Sequence, residues 1–170
     1  MITTTLNSSA IFSDDLKYRY LLTRQWNEKP SILFIMLNPS TADAEKFDPT
    51  VKRCYNFAHL WGYGELNVCN IFALRATNPK ELKKCDDPIG KENDKIIIET
   101  ARTSSLIVAA WGEHGTYKQR DLVVLSLICE TLNREIFCLK TSKNGNPVHP
   151  LYLPGDSKPI IYHYEKVKLL

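Results

Sequence analysis

No apolar run in the sequence approaches 20 residues, and no N-terminal stretch reads as a signal peptide. A membrane span is not expected, and a cytoplasmic protein is the default. The five cysteines, Cys54, Cys69, Cys85, Cys129 and Cys138, form no C-x-x-C pair and no zinc-like spacing with histidine. Free thiols, several of them buried, are the expectation, with no metal and no other cofactor. A Walker loop and a G-x-G-x-x-G turn are both missing, which disfavours folds that cradle phosphates on a glycine loop. No G-x-S-x-G elbow is present, and Ser40 has no base near it in sequence to make it a nucleophile. No internal repeat, low-complexity tract or linker divides the chain.

What is present fits one compact domain over residues 1–170. Hydrophobic residues make up 44% of the chain, enough for a sizeable core, and the 24% that are charged are mixed in sign. The net charge of +3 neither demands nor forbids nucleic acid. From Lys140 to Leu170 there are five lysines and two acidic residues, so the excess charge sits in this tail. An ordinary solvated edge accounts for that, and a phosphate-binding surface is the alternative.

The pattern along the chain alternates strand and helix. "YRYLLTRQW" (18–26) reads as an edge strand. "SILFIML" (31–37) has no alternation and suits a strand covered on both faces. Asp48 then caps a helix with Pro49 at its first position, and Val51, Cys54, Tyr55 and Ala58 fall on one face of it. "LNVCNIF" (66–72) is a second buried strand, and Asn78 before Pro79 opens a short helix. Asn93–Thr103 reads as a helix and "LIVAAW" (106–111) as a third strand. Val124, Leu127, Ile128 and Thr131 mark one helix face, and "EIFCLK" (135–140) is a fourth strand. This order predicts a three-layer α/β/α domain, with a mainly parallel central sheet of about four strands plus an edge strand.

In such sheets ligands bind beyond the carboxyl ends of the strands. Each polar stretch of unusual composition follows a strand: "NPSTAD", Asn70 with "RATN", "WGEHG", and "TSKNGNPVHP". The candidate site residues come from these loops: Asn38, Ser40, Thr41, Asp43, Asp48, Asn70, Arg75, Trp111, His114, Lys143 and His149. Each has a plainer alternative. Asn38 could simply hold a turn before Pro39, and Asp48 is a good helix cap in its own right. Asn70 lies in an apolar run and needs a partner, which is either ligand or backbone. Arg75 and Lys143 suit phosphate but equally suit a surface. Trp111 is either core or a stacking platform. His114 lies between glycines and is expected to be exposed, while His149 before Pro150 is the stronger histidine candidate.

"FIMLNPSTAD", "DPTVKR", "NIFALRATNP", "AWGEHG" and "GNPVHPLY" together resemble the bacterial and phage family known as domain of unknown function 1643, over nearly the whole chain. Over a smaller share, the order "LNPS", "VCNIF", "AAWG", "VHPL" resembles the uracil-DNA glycosylase superfamily. That second resemblance implies a glycosylase-like fold and hydrolysis of an N-glycosidic bond in nucleic acid or a nucleoside. It also implies roles: Asn38 orients a water, Asn70 pairs with the base edge, His149 hydrogen-bonds the leaving base, and Asp43 and Asp48 give charge support. Two positions depart from the pattern. The general-base Asp before Pro is Asn38 here, and the Ser of H-P-S is Leu151. A non-catalytic nucleotide or nucleic-acid binding module is the rival expectation, and an enzyme on a small soluble metabolite is the third.

Overall fold

The computed structural model describes residues 5–40 and 48–164. A seven-stranded sheet is built from β1 (Asn7–Phe12), β2 (Arg19–Gln25), β3 (Ser31–Met36), β4 (Glu65–Asn70), β5 (Leu106–Ala109), β6 (Phe137–Cys138) and β7 (Ile160–Ile161). Its spatial order is β1-β2-β4-β3-β5-β6-β7. The central strands β4, β3, β5 and β6 run parallel. Antiparallel strands close both ends: β2 and β1 beyond β4, and β7 beyond β6.

The unbroken apolar run of β3 follows from its central place. Leu33 and Ile35 pack into one core with Ile97 and Ala101 of helix α2 (Asn93–Thr103) and Val124 of helix α3 (Arg120–Leu125). Ile32, Phe34 and Met36 pack into a second core with Val51, Cys54 and Phe57 of helix α1 (Pro49–Leu60). A period-two strand with apolar residues on both faces needs helices on both faces, and the three layers result.

The sheet is wider than the sequence pattern suggests. The 18–26 segment is not an edge strand, because β1 folds back on β2 in an antiparallel hairpin and takes the edge itself. β1 is largely exposed, so it carries little of the apolar signal that marks a strand. β6 is shorter than the run 135–140, with Phe137–Cys138 alone in strand geometry. The helix expected across 124–131 changes register: α3 is followed by a π-helical turn over Ser126–Thr131. Cys54, Cys69 and Cys138 are buried free thiols, and burial pushes Cys69 up to about 12. Among the described residues, no helix is long and apolar enough to cross a membrane.

Candidate functional site

α1 begins where the sequence places it. Asp48 is extended (φ −71°, ψ 163°), and its Oδ1 accepts the Val51 N–H at 2.7 Å. Its other oxygen accepts the Ser40 hydroxyl at 2.9 Å, which ties the exit of β3 to the start of α1. The exit of β4 is held differently. Asn93, fully buried at the start of α2, donates its amide to the carbonyl of Asn70 at 2.8 Å and of Ile71 at 3.3 Å. Arg120 adds a bond from Nε to the Ile71 carbonyl at 2.6 Å and pairs with Asp94. The side chain of Asn70 is thereby presented from a backbone pinned on its other side.

The exit loops of β5 and β6 are joined to each other. Gly112 takes a positive φ of +73°, and its N–H donates to the Pro147 carbonyl at 2.8 Å. Glu113 accepts the side-chain amides of Asn146 at 2.6 Å and Asn144 at 3.1 Å. Hydrogen bonds from Ser142, Asn144 and Asn146 hold the Glu113 carboxyl below its usual range. Gly115 allows Trp111 to lie close, since a Cβ there would stand 2.2 Å from the indole Cδ1.

These exits enclose a cavity of about 660 Å³ at the carboxyl edge of the parallel strands. That volume is in the range of small-molecule sites. Of the residues expected there, Asn38, Ser40, Asp48, Asn70, Trp111, His114 and His149 line it. Arg75 does not; its guanidinium donates to the Leu16 carbonyl at 3.0 Å and lies over the Phe12 ring, bracing the β1–β2 hairpin. Lys143 is an exposed loop residue outside the lining. Thr41 and Asp43 fall outside the described residues.

The chemistry of the lining is specific. Asn38 spends its amide nitrogen on the carbonyls of Ala76 at 2.8 Å and Pro39 at 3.2 Å, which leaves its Oδ1 as the acceptor a ligand can use. Asn70 is 2% exposed, and among the described residues its Nδ2 has no hydrogen-bond partner. A buried donor left unpaired is costly, so a ligand acceptor there would relieve it. His149 accepts the Leu151 N–H on Nδ1 at 3.3 Å, so the neutral ring carries its proton on Nε2. Burial lowers the pKa of His149, against the pull of Asp48, and favours that neutral form.

Trp111 lines the cavity from within the core, 2% exposed and edge-on to Tyr162 at 6.4 Å, so no broad stacking face is offered. The aromatic that is offered is Tyr152, 81% exposed at the rim with its ring 5.7 Å from that of His149. Sequence reasoning also missed Arg19, a cavity-lining residue only 3% exposed. A signal for Tyr152 was present in the same "VHPLY" stretch that holds His149. Arg19 gave none, because it opens β2, which runs antiparallel to β4 and so reaches the carboxyl edge by its first residue.

No curated protein and no solved structure matches the chain. One family model does, spanning residues 19–151, from the cavity arginine to the end of the His149 loop. The chain belongs to the family described as "Protein of unknown function (DUF1643)".

Proposed function

We propose that the protein is a glycosylase-like hydrolase of N-glycosidic bonds, acting on a base in nucleic acid or on a nucleoside. The observation that carries this reading is the arrival of Asn38 and His149 from two exit loops, and of Asn70 from the end of β4, in one cavity. The division of labour follows from their hydrogen bonds. Asn70 offers a buried amide to the edge of the base. As the glycosidic bond breaks, its electron pair goes to the base and the sugar becomes oxocarbenium-like. The Nε2–H of neutral His149 donates to the base as negative charge grows there. A water donating to Asn38 Oδ1 is held for attack on the sugar carbon; as its oxygen bonds there it sheds a proton, which ends on the departing base anion through solvent, while the Asp48 carboxylate supports the cationic sugar. Tyr152 at the rim supplies a face for a flipped base to pass or stack on.

The test is a panel of oligonucleotides and nucleosides carrying uracil, hydroxymethyluracil and other altered bases. Abasic sites are read by alkaline strand scission and free base by chromatography. At least one substrate is cut on this reading. Release of no base from any substrate removes it.

One observation favours the rival, a non-catalytic binding module. Asp48 accepts the Val51 N–H on one oxygen and the Ser40 hydroxyl on the other, so a helix cap and loop tie account for it without catalysis. Binding without base release would select that reading. If nucleic acid is the partner, affinity falls steeply with salt as lysines and arginines release counterions, and Lys143→Glu weakens it across sequences.

A further inference from the structure

Asn144 is the only asparagine in the sequence that is followed by glycine. That pair is chemically labile. A glycine has no side chain to keep its backbone nitrogen away from the asparagine side chain before it. Asn144 and Gly145 are both exposed, and Gly145 sits at φ +81°, the left-handed conformation that a glycine takes after a tight turn.

The fold sets several bonds against the reaction. The Gly145 N–H donates to the Ser142 carbonyl at 2.9 Å, and the Gly145 carbonyl accepts the Tyr162 hydroxyl at 2.9 Å. Thr141 pairs with Pro147 across the turn. The Asn144 amide nitrogen, which is the leaving atom, donates to Glu113 Oε2 at 3.1 Å. The same oxygen accepts the Asn146 amide at 2.6 Å. Glu113 follows β5, so the leaving nitrogen is tethered from outside its own loop. The residues just beyond the turn, Asn146 to His149, line the cavity.

We propose that Asn144 is a latent deamidation site that Glu113 holds closed, and that its conversion to a carboxylate loosens the cavity wall that carries His149. The step needs only water. The Gly145 nitrogen gives its proton to solvent and bonds to the Asn144 Cγ. The Cγ–Nδ2 bond breaks, its electron pair leaves with the nitrogen, and solvent protons complete ammonia. Water then opens the five-membered imide at one of its two carbonyls. Attack at Cγ leaves an aspartate in a normal chain. Attack at the main-chain carbonyl leaves an isoaspartate, whose backbone runs through Cβ and Cγ. Nothing is oxidised or reduced. Either product turns a donor that faces Glu113 into a carboxylate near it, and like charges repel. None of this depends on what the cavity binds.

The test incubates the folded protein in mildly alkaline buffer well below its melting temperature. Peptide mass spectrometry follows Asn144, with the guanidinium-unfolded chain as reference. The unfolded chain should convert at Asn144 before its other asparagines, and folded wild type should be slower by about tenfold or more. Glu113→Ala should convert about fivefold faster than folded wild type. Glu113→Gln, whose side-chain oxygen still accepts, should fall between the two. Asn93→Ala weakens the fold at the end of β4 instead, and its Asn144 rate should stay near that of wild type. Asn144→Asp stands in for the normal-chain product. At neutral pH it should melt about 2–4 °C below Asn144→Ser, and the gap should close in acid as the carboxylates protonate. Adding Glu113→Gln should restore most of the loss, because the glutamine amide donates to the new carboxylate. The His149 ring-proton shifts should move in Asn144→Asp and return in the pair. Equal rates in wild type and Glu113→Ala, or equal acceleration by Asn93→Ala and Glu113→Ala, overturn the guard. An unfolded chain that converts no faster at Asn144 than at its other asparagines overturns the site. An Asn144→Asp variant with unchanged melting and unchanged His149 signals overturns the effect on the wall.

Discussion

Asn146 donates its side-chain amide to Glu113 at 2.6 Å and so fastens the loop after β6 to the loop after β5. Both residues line the cavity, so the wall that carries His149 is held by a carboxylate on a different loop. Replacing Glu113 by Ala should lower the melting temperature by only about 2–4 °C, because an exposed charged contact is worth about 1 kcal/mol at most. The pH dependence has a defined sign. The Glu113 pKa is lowered in the folded protein, so its contribution is present above the ordinary carboxylate pKa and is lost as pH falls through the folded value. Thermal melts of wild type and variant against pH should differ near neutrality and converge in acid. A constant difference at all pH values would show that the carboxylate charge does not matter.

Asn93 and Asn70 give a sharper prediction. The Asn93 amide is buried and bonds two carbonyls at the end of β4. Asn93→Ala should cost about 1–3 kcal/mol, measured by urea unfolding, because it takes the buried amide from the Asn70 carbonyl, while Arg120 still serves that of Ile71. Asn93→Leu should be no better, since shape alone does not replace the bond to the Asn70 carbonyl. A loss below about 0.5 kcal/mol would mean that β4 is held by other contacts.

His149 should titrate below the unperturbed histidine value of about 6.5, followed by the NMR shift of its ring protons. Burial lowers it and the Asp48 charge raises it. Asp48→Asn keeps a good helix cap and removes the charge, so the midpoint should fall further. The stability sign follows. The unfolded chain takes up the His149 proton first, so the fold loses stability as pH falls below the unfolded value. An upward shift in Asp48→Asn would contradict the assigned electrostatics.

Much of the fold was legible because its signals are local. The β3 run has no alternation and sits between two cores. Asp48–Pro49 starts α1, and Asn78 starts the 3₁₀ turn Pro79–Lys84 with a full capping box. α2 has the bounds its sequence suggests, Asn93–Thr103. What stayed hidden is non-local. β1 is an exposed strand with a weak apolar pattern, and β7 is two residues long. The site divides the same way. Asn38, Asn70 and His149 follow strands or sit at their ends, where a parallel sheet puts ligands. Arg19 reaches the cavity through an antiparallel strand and a bulge, and neither leaves a mark in the residue order. Arg75 looked like a phosphate ligand by type, but Leu16 and Phe12, neighbours only in the folded chain, claim it.

The central claim is that Asn38 and His149 act on a glycosidic bond inside this cavity. Single-turnover base release, measured beside equilibrium binding of the same substrate, tests it most directly. Asn38→Ala and His149→Ala, each checked for folding, should slow release by about 100-fold or more while binding changes far less, because both groups act mainly in the transition state. Release rates unchanged in both variants, or tight binding with no release of any base by wild type, would contradict the account.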